Sequence, residues 1–259
     1  MRRLEGNRIL VTGAGSGIGQ ATALRLLEEG AAVAGADIAD DGLATTQAKA
    51  DQAAPGSRFT ALTMDVADEQ QVIDGVCRAV DTLGGLDSLV NAAGMLRAAH
   101  THQTSAALWN QIIAVNLTGT FLVVRQALPS LLDNPRSTIV NFSSTSATFA
   151  HPYMAAYAAS KGGIQAFTHS LALEYASQGL RAVCVAPGSI KSGITDTTAG
   201  YIPPDADWKL FSRLLPILPS NGIGMADPAV VAGVIAMLVS EDGTFITGTE
   251  IRIDGGTHA

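Results

Sequence analysis

The chain has 259 residues, 47% of them hydrophobic and 15% charged, a mixture that supports a large buried core and excludes a disordered polymer. Its formal net charge of -7 leaves no overall attraction to phosphate backbones or anionic lipid, so nucleic acid and membrane surfaces are poor partners. Cys77 and Cys184 lie in apolar stretches without CxxC spacing, which predicts two buried thiols and neither a disulfide framework nor a zinc site. The segment from Met1 to Gly6 is basic but runs into a strand-like stretch instead of an apolar signal core, and a cytoplasmic location is the expectation.

An apolar, β-rich run at Arg8–Thr12 leads straight into a helical pattern over Gly17–Glu29. A second run, Ala32–Asp37, precedes the helical pattern Asp41–Gln52, and a third, Phe59–Asp65, precedes Asp68–Leu83. Ser88–Asn91 is followed by the long pattern Ser105–Leu132, and Thr138–Ser143 by Met154–Ser177. Arg181–Ala186 comes next, then, after an irregular stretch, Asp227–Val239 with Pro228 at its first helical position and a last run at Thr249–Asp254. Most of the strand runs lack polar alternation, as strands buried on both faces do. Strand alternating with helix implies right-handed crossovers, so the expected fold class is α/β: a doubly wound, Rossmann-like parallel sheet of about seven strands with helices on both faces.

No Pro/Gly/Ser linker divides the pattern, which predicts one domain over residues 1–259. The irregular stretch runs from Ser189 to Met225, where Pro203, Pro204, Pro216 and Pro219 interrupt weakly helical text. A long insertion with apolar residues in a compact domain is usually functional. Here Ile202, Trp208, Phe211, Leu214 and Leu215 would cover an apolar substrate as a lid; packing against a neighbouring subunit is the competing assignment.

The first strand ends in Thr12-Gly13-Ala14-Gly15-Ser16-Gly17-Ile18-Gly19, and a helix begins at once. A helix N-terminus offers unpaired N–H groups and positive dipole, and glycines let a pyrophosphate approach the backbone. Gly13, Ser16, Gly17, Ile18 and Gly19 are therefore expected to hold a dinucleotide, with Asp37 at the end of the second strand accepting hydrogen bonds from the adenosine ribose. That carboxylate would repel a 2′-phosphate. Ala14, Ser16 and Ile38-Ala39-Asp40-Asp41 supply no compensating cation, so NAD is preferred over NADP.

The spacing Gly13-x-x-x-Gly17-x-Gly19, with Asn91-Ala92-Ala93-Gly94, Asn116, Ser143-Ser144, Tyr157-x-x-x-Lys161, Pro187-Gly188 and Asp254-Gly255-Gly256 in order, resembles the short-chain dehydrogenase/reductase family along essentially the whole chain. The resemblance implies that Asp65, with Val66, meets the adenine ring. It also implies that the turn holding Asn91, Ala92 and Gly94 closes one side of the cofactor groove, and that Pro187, Gly188, Ile190 and Ser192 meet the nicotinamide end. Ser192 stands where many members of that family have Thr. Members usually pair their two longest helices, which implies a homo-oligomer, here a tetramer, through the Ala- and Leu-rich Ser105–Leu132 and Met154–Ser177 stretches.

Carbonyl reduction needs a proton donor at the oxygen, and the reverse reaction a base in the same place. Tyr157 and Lys161 are four apart on a helical stretch, which puts them on one face, and an ammonium near a phenol favours phenolate. Taken alone, such a pair is ordinary helix surface. Small neighbours (Ala156, Ala158, Ala159, Ser160, Gly162 and Gly163) make it a face fit to press against a flat ligand, with both residues contacting the dinucleotide as well as the substrate. Ser143 and Ser144 end the fifth strand run, where ligands bind in such folds. Members place the catalytic serine thirteen residues before the tyrosine, which selects Ser144 to hold the substrate oxygen. By the same resemblance Asn116 orders a water behind Lys161, although an amide in that apolar context is also a plausible structural group. His100, His102, His151, His169 and His258 read as exposed residues, and no metal is expected.

The set predicts an oxidoreductase moving a hydride between NAD(H) and a secondary alcohol or ketone. A 3-oxoacyl thioester reductase acting on a carrier protein or coenzyme A is the alternative. A dinucleotide-binding scaffold without turnover is disfavoured by the intact Tyr157 and Lys161.

Overall fold

The computed structural model of the chain describes residues 2–192, 199–218 and 224–259. Seven strands, β1 (Arg8–Thr12), β2 (Ala32–Asp37), β3 (Arg58–Thr63), β4 (Ser88–Asn91), β5 (Thr138–Phe142), β6 (Arg181–Pro187) and β7 (Glu250–Ile253), form one sheet in the order β3-β2-β1-β4-β5-β6-β7. Every neighbouring pair is parallel, as the buried, non-alternating runs require. The helices are α1 (Gly17–Glu28), α2 (Asp40–Ala53), α3 (Glu69–Leu83), α4 (Ala106–Ile113), α5 (Gly119–Leu132), α6 (Ala155–Tyr175), the single turn α7 (Trp208–Phe211) and α8 (Pro228–Leu238).

Alternate residues of each strand feed two cores. Ile9, Val11, Val33, Val90, Val140 and Val183 pack under α1, α2 and α8, through Leu26, Leu43 and Ile235 among others. Leu10, Ala34, Leu89, Ile139 and Ala182 pack under α3, α5 and α6, through Val76, Val123 and Leu171. Caps fix where the helices begin and end. The Asp68 carboxylate accepts from the N–H groups of Gln70 and Gln71 at the start of α3, and Gly84 ends that helix in the left-handed region at φ 75°. Asp227 accepts from Ala229 N–H ahead of α8, with Pro228 where no N–H is needed.

The structure departs from the predicted elements in one place that bears on the site. Ser105–Leu132 is not one regular helix: a π-helical turn at Ala114–Thr118 separates α4 from α5. By length and composition Ala106–Leu132 could cross a membrane, and in this fold it packs against α3 and α6. Cys184 is buried as predicted, but Cys77 is exposed, on the solvent side of α3.

The sheet reverses its winding between β1 and β4, which are neighbours although two strands and three crossovers separate them in sequence. A crevice therefore opens beyond their C-terminal ends. Gly13 makes it possible: at φ 70° its chain turns so close to the β4 exit that a Cβ would fall 2.7 Å from Ala93 N and 2.9 Å from Ala92 O.

Candidate active site

A cavity of about 930 Å³ occupies this crevice and runs along the C-terminal edge of the sheet. Gly13, Ser16, Gly17, Ile18, Gly19, Asp37, Asp65, Val66, Ala92, Gly94, Ser144, Tyr157, Lys161, Pro187, Gly188, Ile190 and Ser192 all line it. So do Ile202, Trp208, Phe211, Leu214 and Leu215 of the insertion. Residues 193–198 and 219–223 of that insertion lie outside the described residues.

The first turn of α1 has neither a side-chain cap from Ser16 nor an acidic residue of its own, so N–H groups at its N-terminus are left for a ligand. Gly19 is required by packing, since a Cβ there would lie 2.1 Å from Gly13 O. Asp37 ties the loop to the end of β2: Oδ2 accepts from Gly15 N–H at 2.9 Å and Oδ1 from Ala39 N–H at 2.9 Å. The carboxylate is thus fixed at the cavity wall, with lone pairs to spare. Asp65 is similarly held, its Oδ1 accepting from Ala67 N–H at 2.8 Å. These features fit a dinucleotide: uncapped helix donors for a pyrophosphate, and a fixed carboxylate for ribose hydroxyls.

At the other end, Tyr157, in the first turn of α6, lines the cavity with its hydroxyl close enough to that of Ser144 for the two to interact. Burial pushes the phenol up to about 12, with the Ser144 hydroxyl pulling the other way. Lys161, one turn along α6, is buried; its Nζ lies 5.6 Å from the centre of the Tyr157 ring and donates to Phe142 O at 2.8 Å. Burial draws its amine down to about 8. Ser144 Oγ also accepts from Ser146 N–H at 3.2 Å, which sets the rotamer, whereas Ser143 Oγ turns to Lys161 O at 3.4 Å. Successive residues at a strand end face opposite ways, and Ser144 is the one presented to Tyr157.

Two predicted residues do not reach the cavity. Asn91 is buried with its side chain turned inward, Nδ2 donating to Asn141 Oδ1 at 2.9 Å, so it braces β4 against β5 behind the wall. Asn116, on the π-helical turn, is fully buried. Its Oδ1 accepts from Met95 N–H at 2.7 Å, and its Nδ2 donates to Met95 O at 2.9 Å and to Ser160 Oγ at 3.0 Å. The amide therefore staples the segment after Gly94 to the helix carrying Tyr157. Gly94 leaves room for this, because a Cβ there would sit 3.2 Å from Asn116 Oδ1 and 3.7 Å from Lys161 Nζ.

Other wall residues lie outside the sequence motifs. Arg97 lines the cavity with its guanidinium 4.2 Å from the centre of the Tyr201 ring. His151 also lines it, which corrects the reading of the histidines as exposed. Its position between Ser144 and Tyr157 was the available signal. Tyr153 is the one described non-glycine residue at positive φ, 63°, a strained conformation that the surroundings must hold. Its hydroxyl accepts from Asp207 N–H at 2.8 Å and its ring stacks on Phe211 at 5.9 Å, while His100 meets Asp205 at 2.9 Å.

A dinucleotide crevice at the switch point of a parallel sheet, ending at a serine, a tyrosine and a buried lysine, defines a nicotinamide-dependent oxidoreductase. The chain belongs to the short-chain dehydrogenase family, whose model, described as short chain dehydrogenase, matches residues 7–200. It is 36% identical to 2-(S)-hydroxypropyl-CoM dehydrogenase 3 of Xanthobacter autotrophicus over 99% of this chain and 98% of that one. Among solved structures it is similar to a short chain dehydrogenase from Burkholderia cenocepacia J2315 in complex with NADP (TM-score 0.84, 31% identity, 99% of this chain and 100% of that one). It is also similar to a short chain dehydrogenase from Mycobacterium paratuberculosis bound to NAD (TM-score 0.90, 26% identity, 98% of each chain). The protein is an oxidoreductase acting on CH–OH donors, with a nicotinamide dinucleotide as partner to a secondary alcohol or its ketone.

Proposed function

We propose that this chain is an NAD-preferring secondary-alcohol dehydrogenase in which Tyr157 is the acid/base. The observation that carries this reading is the gathering of Ser144, Tyr157 and Lys161 on the wall of the same cavity whose other end holds Asp37. The chemistry that a bound nicotinamide dinucleotide supplies is hydride exchange with the substrate carbon, and its oxidised ring adds a positive charge to the site. Gly13, Ser16, Gly17, Ile18 and Gly19 hold the pyrophosphate, Asp37 the adenosine ribose, and Asp65 and Val66 the adenine. Ala92, Gly94, Pro187, Gly188, Ile190 and Ser192 line the way to the nicotinamide end, and Asn91 serves from behind as a brace.

Ser144 donates to the substrate oxygen and Tyr157 passes a proton to it or takes one from it. With its phenol at about 12, Tyr157 is protonated at neutral pH and ready as the acid of ketone reduction. Alcohol oxidation requires phenolate, and the Lys161 ammonium, still mostly charged below about pH 8, stabilises it. Asn116 acts on this pair as a positioning residue, by stapling α6 to the segment after Gly94. The Asp37 carboxylate favours NAD, because a 2′-phosphate would meet its charge with the first turn of α1 already serving a pyrophosphate.

The chain reads as one domain, with the insertion at about 189–225 as a substrate lid. Support comes from its apolar residues at the cavity wall and from the ties of Tyr153 to Asp207 and Phe211. A homo-tetramer is supported by apolar side chains left on the outer helix faces: Trp109 on α4, Phe121 on α5 and Leu173 on α6, the last 85% exposed. Free Cys77 and Cys184 suit a reducing cytoplasm. The test is a screen for NADH or NADPH formation with secondary alcohols, sugars, steroids and 3-hydroxyacyl thioesters. NAD-linked turnover of free alcohols is expected, and turnover confined to the thioesters would replace this reading with the acyl reductase one.

A further inference from the structure

His151 stands on the cavity wall in a setting that a loop histidine does not need. Its Nε2 is 3.2 Å from Oγ1 of Thr145, the chain neighbour of Ser144, so the imidazole is tied to the same short turn that aims the Ser144 hydroxyl at Tyr157. Its ring lies 5.7 Å from that of His258 at 22°, and His258 in turn stacks on Phe149 at 4.1 Å and 15°. The guanidinium of Arg252 covers the Phe149 ring at 5.1 Å. His258 is itself held by Asp254, whose Oδ2 is 3.1 Å from Nδ1 and 3.3 Å from the backbone nitrogen. Rings from the 145–151 turn and from the last residues of the chain thus fix one imidazole at the cavity wall. Among the described residues Nδ1 of His151 has no hydrogen-bond partner.

We propose that His151 recognises a second oxygen on the substrate, a hydroxyl or carbonyl a few bonds from the reacting carbon, so that the preferred substrates are diols and hydroxyketones on an apolar skeleton. The inference rests on the dehydrogenase reading above and deepens it. Thr145 occupies Nε2, which leaves Nδ1 as the ring atom for a ligand, and a neutral imidazole can donate or accept according to tautomer. Burial and the neighbouring His258 push the ring down to about 4, so it stays neutral at working pH and favours an uncharged oxygen over a carboxylate. Met154, Trp208, Phe211 and Leu214 supply the apolar wall for the carbon skeleton. A polar group set in such a wall costs desolvation when the ligand offers it nothing, which is how a site discriminates against an analogue lacking one hydroxyl.

The test compares matched pairs, cyclohexanol with cyclohexane-1,2-diol and cyclohexane-1,4-diol, and butan-2-ol with butane-2,3-diol, in the wild type, His151→Phe and His151→Asn. The wild type is expected to favour the better diol of a pair by about 30-fold in kcat/KM. That ratio should fall to within about threefold of unity in His151→Phe and return in part in His151→Asn, which keeps an amide donor and acceptor. Dinucleotide affinity and circular dichroism report whether each variant is folded, and His151→Asn carries the comparison if the phenyl ring is not accommodated. A wild-type ratio near one overturns the proposal, as does a ratio unmoved by either substitution or an equal loss on both members of each pair. A wild type that oxidises no member with either dinucleotide overturns the dehydrogenase reading, and this one with it.

Discussion

The two ends of the cavity are built by different means. The dinucleotide end is written in the backbone: Gly13 at φ 70°, Gly19 packed where no Cβ fits, and Asp37 fixed by the N–H groups of Gly15 and Ala39. The substrate end is written in side chains from distant parts of the sequence, among them the ring stack of Phe149, His258 and His151 and the pairing of Tyr153 with Phe211. Backbone constraints admit almost no substitution, whereas a ring pair is worth only about 0.5–1.5 kcal/mol and can be exchanged. One end can stay constant while the other is remade for a new substrate.

Tyr157 sits where the two ends meet, and its replacement is expected to have the largest effect. Tyr157→Phe should lower kcat by about 10³-fold while dinucleotide affinity, read by fluorescence titration, changes by less than about threefold. Residual turnover above about a tenth would remove Tyr157 from the acid/base role. The comparison itself is tested most directly by stability. Gly13→Ala meets backbone at 2.7 Å as well as a positive φ, and should cost more than about 3 kcal/mol in denaturant unfolding. His258→Ala removes ring contacts and one side-chain hydrogen bond to Asp254 and should cost about 1–2 kcal/mol. Equal costs would erase the distinction between the two ends.

Asp37→Ala should reduce an NAD over NADP preference in kcat/KM of about 100-fold to less than about 10-fold. A wild type that prefers NADP would contradict the role given to this carboxylate. The smallest effect expected is on pH dependence. His151 titrates near 4 in the folded chain and near 6.5 when unfolded, so between those values the unfolded chain binds a proton that the folded one refuses. Stability contributed by this residue therefore falls as pH drops from about 6.5 to about 4. The loss of Tm between pH 7 and pH 4.5 should be smaller in His151→Phe than in the wild type, and an unchanged loss would place the ring in water.

The sequence made the backbone-written end readable because its residues are neighbours in the chain or sit at strand ends. The glycine loop and Asp37 follow from strand, turn and helix signals, and Tyr157 with Lys161 from helical spacing. The sequence puts Asn91 on the wall because a strand as short as β4 does not reveal which way its last side chain turns; the partner that decides it, Asn141, lies on another strand. The π-helical turn was invisible because Asn116 is fixed by Met95 and Ser160, outside its own element. Cys77 lies on the wet face of an amphipathic helix, which its apolar neighbours concealed. His151 and His258 stand far apart in the chain, and nothing in the local pattern of either announces the stack that joins them.

The turn at Ala114–Thr118 also bears on how this family member could change. A π-helical turn takes up one residue more than the regular repeat, so the sequence register slips by one between α4 and α5 while the two helices keep their facing. The two helices answer to different neighbours, α4 to α6 and α5 to α3. Because the wider turn absorbs its extra residue, deleting one residue from 114–118 would restore a continuous helix with Ile112 still turned to the interior, and would remove the turn that carries Asn116. The irregular turn is an inserted slack link: it lifts Asn116 out of the regular repeat while α4 and α5 keep their neighbours on either side.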